Sequence, residues 1–203
     1  MKLFYSPGAC SLAARFLLHE LDLPFADVKV DLASGEQESP PFLAVNPKGK
    51  VPALALDDGR TLTELGAITW WIAETRPARG LLPTDADGLT DVHQLIDYIV
   101  GTLHMEGVRL AFSPRSAFAA GDPEAVRAQG MATLARGLAV VAERCPDGAP
   151  LLGKLGVADF LLAYILFCAT HLGLRLPPGL NKHWRMMSAR ASVTLSLKEE
   201  GFA

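Results

Sequence analysis

The first residue with reactive side-chain chemistry is Cys10, which lies between a Ser-Pro-Gly turn at residues 6–8 and an apolar-patterned segment beginning at Ser11. Amides at a helix N-terminus stabilise an anion, so a thiol placed there can have a lowered pKa and be reactive. Tyr5 precedes the turn, and its hydroxyl or that of Ser11 could donate to a neighbouring thiolate. The alternative is that Cys10 is a small residue packing the turn and that Ser11 caps the helix.

A second candidate site is the stretch Asn-Pro-Lys-Gly-Lys-Val-Pro-Ala-Leu at residues 46–54, followed by Glu64. Pro52 lacks an N–H, so at a strand entrance it leaves its neighbour's backbone groups available to another partner. We predict a cis Val51–Pro52 bond, with the N–H and C=O of Val51 facing outward to grip an extended peptide. Glu64, beside the N-terminal amides of its helix, would suit an amino acid's ammonium and carboxylate together. A buried turn and an ordinary helix cap are the alternative.

His104 is the remaining candidate, two or three turns into a predicted long helix. Its imidazole could donate to a sulfur from a cleft between domains, and a surface position is the alternative. Cys145 and Cys168 are interpreted as structural, because one ends a helix before a proline and the other lies in an apolar helix. The other four histidines lack metal-ligand spacing, and neither a glycine-rich phosphate loop nor a Ser/His/Asp nucleophile elbow is present. We therefore expect neither a metal nor a cofactor.

The composition is that of a soluble globular protein. Of 203 residues, 50% are hydrophobic and 20% are charged, with a net charge of −3. This charge offers no basic surplus for nucleic acid, and no run of about 18 apolar residues predicts a membrane span. The N-terminus lacks the apolar region of a signal peptide, and three widely spaced cysteines fit a reduced compartment. We expect a cytoplasmic protein without nucleic-acid or membrane partners.

Alternating strand and helix patterns occupy the first 76 residues. A strand–helix–strand unit should place its two strands parallel, and the Asp-Gly hairpin turn at residues 58–59 should make the last two antiparallel. The result is a mixed sheet with helices on its faces. Strands are predicted at 2–5, 25–31, 53–56 and 60–63, and helices from about 11 to 21, at 42–45 and at 64–74.

Residues 76–88 are rich in Pro, Gly and Asp and are interpreted as a linker. We place an N-terminal domain at 1–76, the linker at 77–88 and an all-helical domain at 89–203. The segment 157–172 is almost wholly apolar and should be the buried central helix of the second domain. The helices of that domain are predicted at 89–110, 123–144, 157–172, 180–190 and 193–200.

The sequence resembles the cytosolic glutathione transferases in its opening Met-Lys-Leu-Phe-Tyr-Ser-Pro-Gly-Ala-Cys-Ser-Leu, in the stretch 46–54 and in Leu-Thr-Glu at 62–64. The cysteine at position 10 is similar to that of the bacterial beta class. The resemblance covers the whole chain, although the second half matches mainly in layout. It implies an α/β thioredoxin-like N-terminal domain with a mixed four-stranded sheet, an all-α C-terminal helical domain, and a homodimer.

The resemblance also implies roles for individual positions. The Val51 backbone, beside Pro52, would pair the cysteinyl part of glutathione, and Glu64 would meet its γ-glutamyl end. Cys10 would hold the glutathione sulfur as a thiolate or form a mixed disulfide with it. The implied catalytic residues are Cys10, Ser11, Tyr5 and His104; the glutathione-binding residues are Lys50, Val51, Pro52, Glu64 and Leu65; the electrophile-site residues are Met105, Arg109 and Phe112.

The implied function is a glutathione transferase that conjugates glutathione thiolate to small hydrophobic electrophiles, as in detoxification. Glutathione would be a co-substrate rather than a cofactor. Two alternatives are a glutathione-dependent thiol–disulfide reductase acting through Cys10 and a non-catalytic binding or regulatory protein of the same fold. Fold alone does not separate them.

Four positions depart from the pattern of the family. Leu65 replaces the usual Ser or Gly, the 33–36 loop has no lysine for the glycine carboxylate, and Met105 replaces a common basic residue. The first three changes predict weak glutathione binding or a preference for a modified thiol. The fourth, Gly156 in place of a hydroxyl-bearing residue in a helix capping box, should cost only a few tenths of a kcal/mol.

Overall fold

The structure is a computed structural model that describes residues 1–113 and 122–202. Its elements in chain order are β1 (Lys2–Tyr5), α1 (Ser11–Glu20), β2 (Ala26–Lys29), α2 (Pro40–Val45), β3 (Ala53–Ala55), β4 (Thr61–Thr63), α3 (Leu65–Glu74), α4 (Ala86–Asp97), a π-helical segment (Tyr98–Val108), α5 (Arg109–Phe112), α6 (Pro123–Ala142), α7 (Val157–His171), α8 (Pro178–Ser188) and α9 (Ala191–Glu199). Short 3-10 turns lie at Glu36–Glu38 and Pro77–Arg79. The chain forms two compact units, Met1–Leu81 with the C-terminal residues from Arg190, and Leu82–Ala189.

The sheet of the first unit has the order β2-β1-β3-β4. Strand β1 is parallel to β2, with Leu3 opposite Asp27, and antiparallel to β3, with Leu3 opposite Leu54. Strands β3 and β4 form an antiparallel hairpin in which Leu54 is opposite Leu62. The predicted mixed four-stranded sheet is therefore confirmed, because the crossover through α1 makes the first pair parallel and the tight turn makes the last pair antiparallel.

Helices α1 and α3 contact each other over an apolar core. Leu3 and Leu54 from the sheet, and Leu12 and Phe16 from α1, have no exposed surface. On α3, Ile68 and Ile72 are equally buried. Burying a side chain of this size contributes about 1.5–3 kcal/mol, so these residues fix the positions of the two helix N-termini, where the candidate site lies.

Two predicted helix starts shift because a polar side chain caps them. Asp85 accepts a hydrogen bond from the Gly88 N–H at 2.8 Å, so α4 begins at Ala86, inside the predicted linker. Ser39 accepts from the Phe42 N–H, and a proline occupies the first turn, so α2 begins at Pro40 rather than at 42.

The last helix, α9, packs against α1 and belongs to the first unit. This grouping differs from the predicted domain 89–203, and the reason is a buried cation. Arg15 of α1 has no exposed side-chain surface and pairs with Asp27 at 2.7 Å, Glu199 at 2.9 Å and Glu200 at 3.0 Å. A buried guanidinium requires such partners, and two of them are supplied by the C-terminal end of the chain.

The described part of the second unit contains helices joined by loops and has no strand. Asp122 caps α6 by accepting from the Glu124 N–H at 3.0 Å, as predicted. Helix α7 is buried over nearly its whole length. In its first turn, Asp159 accepts from the N–H groups of Gly156 at 2.8 Å and Leu151 at 2.9 Å, so the capping box lacks a hydroxyl but keeps its carboxylate. No helix in residues 1–113 or 122–202 has the length and apolarity to cross a bilayer.

Candidate functional site

The candidate site is assembled around Cys10, which occupies the N-cap position of α1. The preceding turn is closed by a hydrogen bond from the Ala9 N–H to the Ser6 carbonyl at 3.0 Å. The Cys10 side chain is buried, with 9% of its surface exposed, and its Sγ lies 3.7 Å from the carbonyl oxygen of Val51. The thiol therefore donates to the segment predicted to receive the ligand.

The thiol of Cys10 is neutral in the free protein. Burial raises its pKa to about 12, and the backbone N–H groups of Cys10 and Ser11, together with the Lys50 charge, lower it only in part. The Glu64 carboxylate raises it further. This result corrects the prediction of a lowered pKa, because a helix N-terminus stabilises an anion less than complete desolvation disfavours it.

The two hydroxyls predicted to assist the thiol are engaged elsewhere. Ser11 Oγ donates to the Ser6 carbonyl at 3.4 Å and is fully buried. The Tyr5 ring lies under the Arg15 guanidinium, whose Cζ is 4.4 Å from the ring centroid. Burial, and then the Asp27 charge, raise the pKa of Tyr5. Neither hydroxyl bonds to Cys10 in the described structure, because Ser11 bonds to the turn and the Tyr5 ring packs against Arg15.

The Val51–Pro52 bond is cis, as predicted. The Val51 carbonyl accepts from Cys10, whereas the Val51 N–H has no acceptor among the described residues. The preceding turn is braced by Asn46, a buried amide whose Nδ2 donates to the Lys50 carbonyl at 2.6 Å. Of the two backbone groups predicted to face a ligand, the Val51 N–H is thus available in the described structure, whereas the Val51 carbonyl faces Cys10.

Glu64 stands at the N-terminus of α3 with φ +69° and ψ +124°, a conformation that non-glycine residues rarely adopt. Such a conformation costs about 1–3 kcal/mol and is retained mainly where the surroundings enforce it. The Glu64 carboxylate does not cap its own helix. Instead it is exposed and accepts from Lys48 Nζ at 2.7 Å. Among the described residues, the first amides of α3 are therefore left without an intrahelical or side-chain acceptor.

Lys48 was not among the residues selected from the sequence. Its Nζ also donates to Thr63 Oγ1 at 2.9 Å, so it bridges the 46–54 turn to the end of β4. Lys50, which is predicted from the sequence to bind glutathione, is exposed, and its positive charge lowers the pKa of Cys10. Leu65 buries its side chain and can offer only its backbone N–H. The sequence signal that could have identified Lys48 is a basic residue in the 46–54 turn together with an acidic residue at the start of the following helix.

The other predicted site residues lie in the second unit. His104 is in the π-helical segment, with its ring 5.7 Å from that of Tyr164 in an edge-on arrangement. Burial, followed by the Arg109 charge, lowers the pKa of His104 to about 4, so the imidazole is neutral at pH 7. Met105 is half-buried, and Phe112 is an exposed aromatic with 48% of its surface accessible. No cluster of metal-ligating side chains occurs in the described ranges.

Known proteins share both the sequence pattern and this fold. A family model for the N-terminal domain of glutathione S-transferase matches residues 8–75. The glutathione S-transferase GstA of Escherichia coli O157:H7 is 37% identical over 99% of both proteins. A maleylacetoacetate isomerase of Pseudomonas aeruginosa is 30% identical over 87% of this chain and 84% of its own.

Solved structures agree with these relatives. The bacterial beta-class glutathione S-transferase of Sphingomonas chungbukensis has a TM-score of 0.86 at 33% identity, with 100% of both chains covered. A sphingomonad glutathione S-transferase complexed with glutathione has a TM-score of 0.84 at 35% identity, again with 100% of both chains covered. The resemblance seen in the sequence motifs is therefore confirmed over the full chain.

Proposed function

Because the chain belongs to the glutathione S-transferase family of enzymes, we propose that it binds glutathione along the first unit and transfers the glutathione thiolate to small hydrophobic electrophiles. The observation that carries this proposal is the N–H of Val51, which no described residue accepts from, with Cys10 Sγ 3.7 Å from the carbonyl of the same residue. An extended cysteinyl backbone pairing with Val51 would bring its sulfur toward Cys10.

The γ-glutamyl end of glutathione would lie at Glu64 and at the free amides of α3. An amino acid's ammonium pairs with an exposed carboxylate, and its carboxylate suits helix N-terminal N–H groups. Leu65 supplies such an N–H despite its apolar side chain. Glutathione is thus a co-substrate held by backbone groups and exposed charges.

In the reaction, glutathione loses its thiol proton to solvent, and the sulfur forms a bond to an electrophilic carbon. In substitution the leaving group departs with the bonding electron pair, whereas in addition the electron pair moves to an adjacent acceptor. The protein's contribution is to lower the pKa of the bound glutathione thiol. A neutral Cys10 thiol can do so by donating a hydrogen bond to the developing thiolate.

The protonation state of Cys10 favours conjugation over disulfide exchange. Exchange requires a thiolate to attack the disulfide, and a cysteine whose pKa is about 12 is almost wholly a thiol at neutral pH. The reductase acting through Cys10 therefore ranks behind the transferase. The relationship to a maleylacetoacetate isomerase supports glutathione-dependent isomerisation as a second candidate function.

We propose that the electrophile contacts Met105, Arg109 and Phe112. Phe112 offers an exposed aromatic surface, and Met105 offers a flexible apolar side chain. The neutral His104 imidazole could donate to a polar group of the substrate. A homodimer in the cytoplasm is part of the same proposal, with Trp70 and Trp71 on α3 or the helical residues 89–103 as its contacts; a single-chain mass in light scattering would contradict the dimer.

A conjugation assay with aromatic and aliphatic electrophiles tests the transferase function. Replacing Cys10 by Ala should remove one hydrogen bond to the sulfur and lower kcat about two- to tenfold, while abolishing any mixed disulfide. Loss of all conjugation with unchanged glutathione binding would show instead that Cys10 is essential. Activity on maleylacetoacetate without conjugation of any electrophile would favour the isomerase.

A further inference from the structure

An exposed ion pair lies at the start of α3. Lys48 Nζ is 2.7 Å from Glu64 Oε1 and 2.9 Å from Thr63 Oγ1. The side chains of Lys48 and Glu64 are 49% and 63% exposed, so the pair is open to a ligand. An ammonium group has three N–H donors, and two of them are used here. The third remains available.

The ligand of the proposed function presents two charges at this point. The α-carbon of a γ-glutamyl group carries both an ammonium and a carboxylate, so a site that recognises it needs an acceptor and a donor side by side. Glu64 can be only the acceptor. The next residue, Leu65, contributes no side-chain donor because its side chain is apolar and buried. In the described part of the chain, the α3 amides and the Thr63 hydroxyl are the other donors at this position, and neither carries a positive charge.

We propose that Lys48 is a glutathione-binding residue that takes the α-carboxylate of the γ-glutamyl group while Glu64 takes its ammonium. This assignment rests on the proposed function and adds to it the residue that replaces the missing hydroxyl donor at position 65. The pair already holds its two opposite charges within hydrogen-bonding distance, which matches the separation of the two charged groups on one α-carbon. Lys48 is therefore a specificity residue for the zwitterionic end of the ligand.

Lys29 provides a matched control on β2 of the same unit. It is also an exposed lysine, but no ion pair holds it in the described structure. Substituting either lysine by Met removes one positive charge from the first unit. A general electrostatic attraction for an anionic tripeptide would be weakened by both changes, whereas the specific contact would be weakened only by Lys48→Met.

The test is calorimetric titration of the wild type, Lys48→Met and Lys29→Met with glutathione and with γ-aminobutyryl-cysteinylglycine, which keeps the ammonium and lacks the α-carboxylate. We expect Lys48→Met to weaken glutathione binding about three- to tenfold and to leave binding of the analogue within about twofold. In steady-state conjugation the same variant should raise KM for glutathione with kcat unchanged. Unchanged melting temperatures establish that both variants are folded.

Equal or tighter glutathione binding by Lys48→Met would overturn the assignment, since it would show that the lysine competes with the ligand for Glu64. An equal loss for both ligands would overturn it too. Failure of the wild type to bind either ligand would instead refute the proposed function itself, and the lysine assignment with it. Failure of the lysine assignment is seen only in the Lys48→Met variant, whereas failure of the proposed function is seen in the wild-type protein, so the two are distinguishable.

Discussion

Alkylation of Cys10 should be slow at neutral pH and should accelerate up to at least pH 10. Burial raises the pKa of the thiol from 9.0 to about 12. A raised pKa favours the neutral form of an acid group, so the thiolate fraction should increase tenfold per pH unit until the pH approaches 12. At pH 7.5, the rise in pKa from 9.0 to about 12 lowers the thiolate fraction about a thousandfold relative to that of an exposed thiol.

The assay is alkylation by iodoacetamide between pH 6 and pH 10, followed by mass spectrometry of the Cys10 peptide. Burial also slows the reagent at every pH, so the slope of log rate against pH is more informative than the rate itself. We expect a slope of about 1 through pH 10 for Cys10, while a short cysteine-containing control peptide levels off near pH 9. Circular dichroism at each pH verifies that the protein remains folded.

A plateau in the Cys10 rate below pH 8 would refute this reasoning. It would mean that the N-terminal amides of α1 outweigh desolvation and that a thiolate exists at neutral pH. Attack on a disulfide would then be favoured chemically, and the thiol–disulfide reductase would displace the transferase as the first interpretation.

Two further predictions concern stability and are measured by urea denaturation. Arg15→Met should lower the free energy of unfolding by about 3–5 kcal/mol, because it leaves the buried Glu200 carboxylate without its cation, whereas Arg60→Met, at an exposed pair, should leave the free energy of unfolding nearly unchanged. Similar losses in both variants would contradict the buried network. Gly130→Ala should cost about 1–3 kcal/mol, because a Cβ there would lie 2.7 Å from the Ala111 nitrogen. Gly101→Ala meets no atom within 4 Å and should cost nothing; equal costs for the two glycine variants would refute the packing argument.

The sheet and the positions of its helices could be predicted from the sequence because their causes are local. Period-two apolar patterns, the crossover through α1 and the Asp-Gly turn determine strand direction without knowledge of distant residues. The cis Val51–Pro52 bond was also predictable, because it follows from a proline at a strand entrance within a family motif. Helix starts at Pro40 and Ala86 were missed by a few residues, since the caps that fix them lie in loops with little periodicity.

The remaining features depend on contacts between distant residues. Arg15 is neutralised by carboxylates 184 and 185 positions away, and no local pattern indicates that pairing or the place of α9 in the first unit. Lys48 meets Glu64 across 16 positions. The pKa of Cys10 was predicted with the wrong sign, because sequence reveals the helix N-terminus but not the depth at which the thiol is buried.

Titration calorimetry of the reduced wild-type protein with reduced glutathione tests the central claim most directly. The proposed site predicts saturable binding in the micromolar-to-millimolar range. It also predicts weaker binding by Glu64→Gln, which removes the charge that would hold the ligand's ammonium. No heat at saturating glutathione, with no rise in melting temperature, would contradict the account and leave a non-catalytic protein of the same fold as the better interpretation.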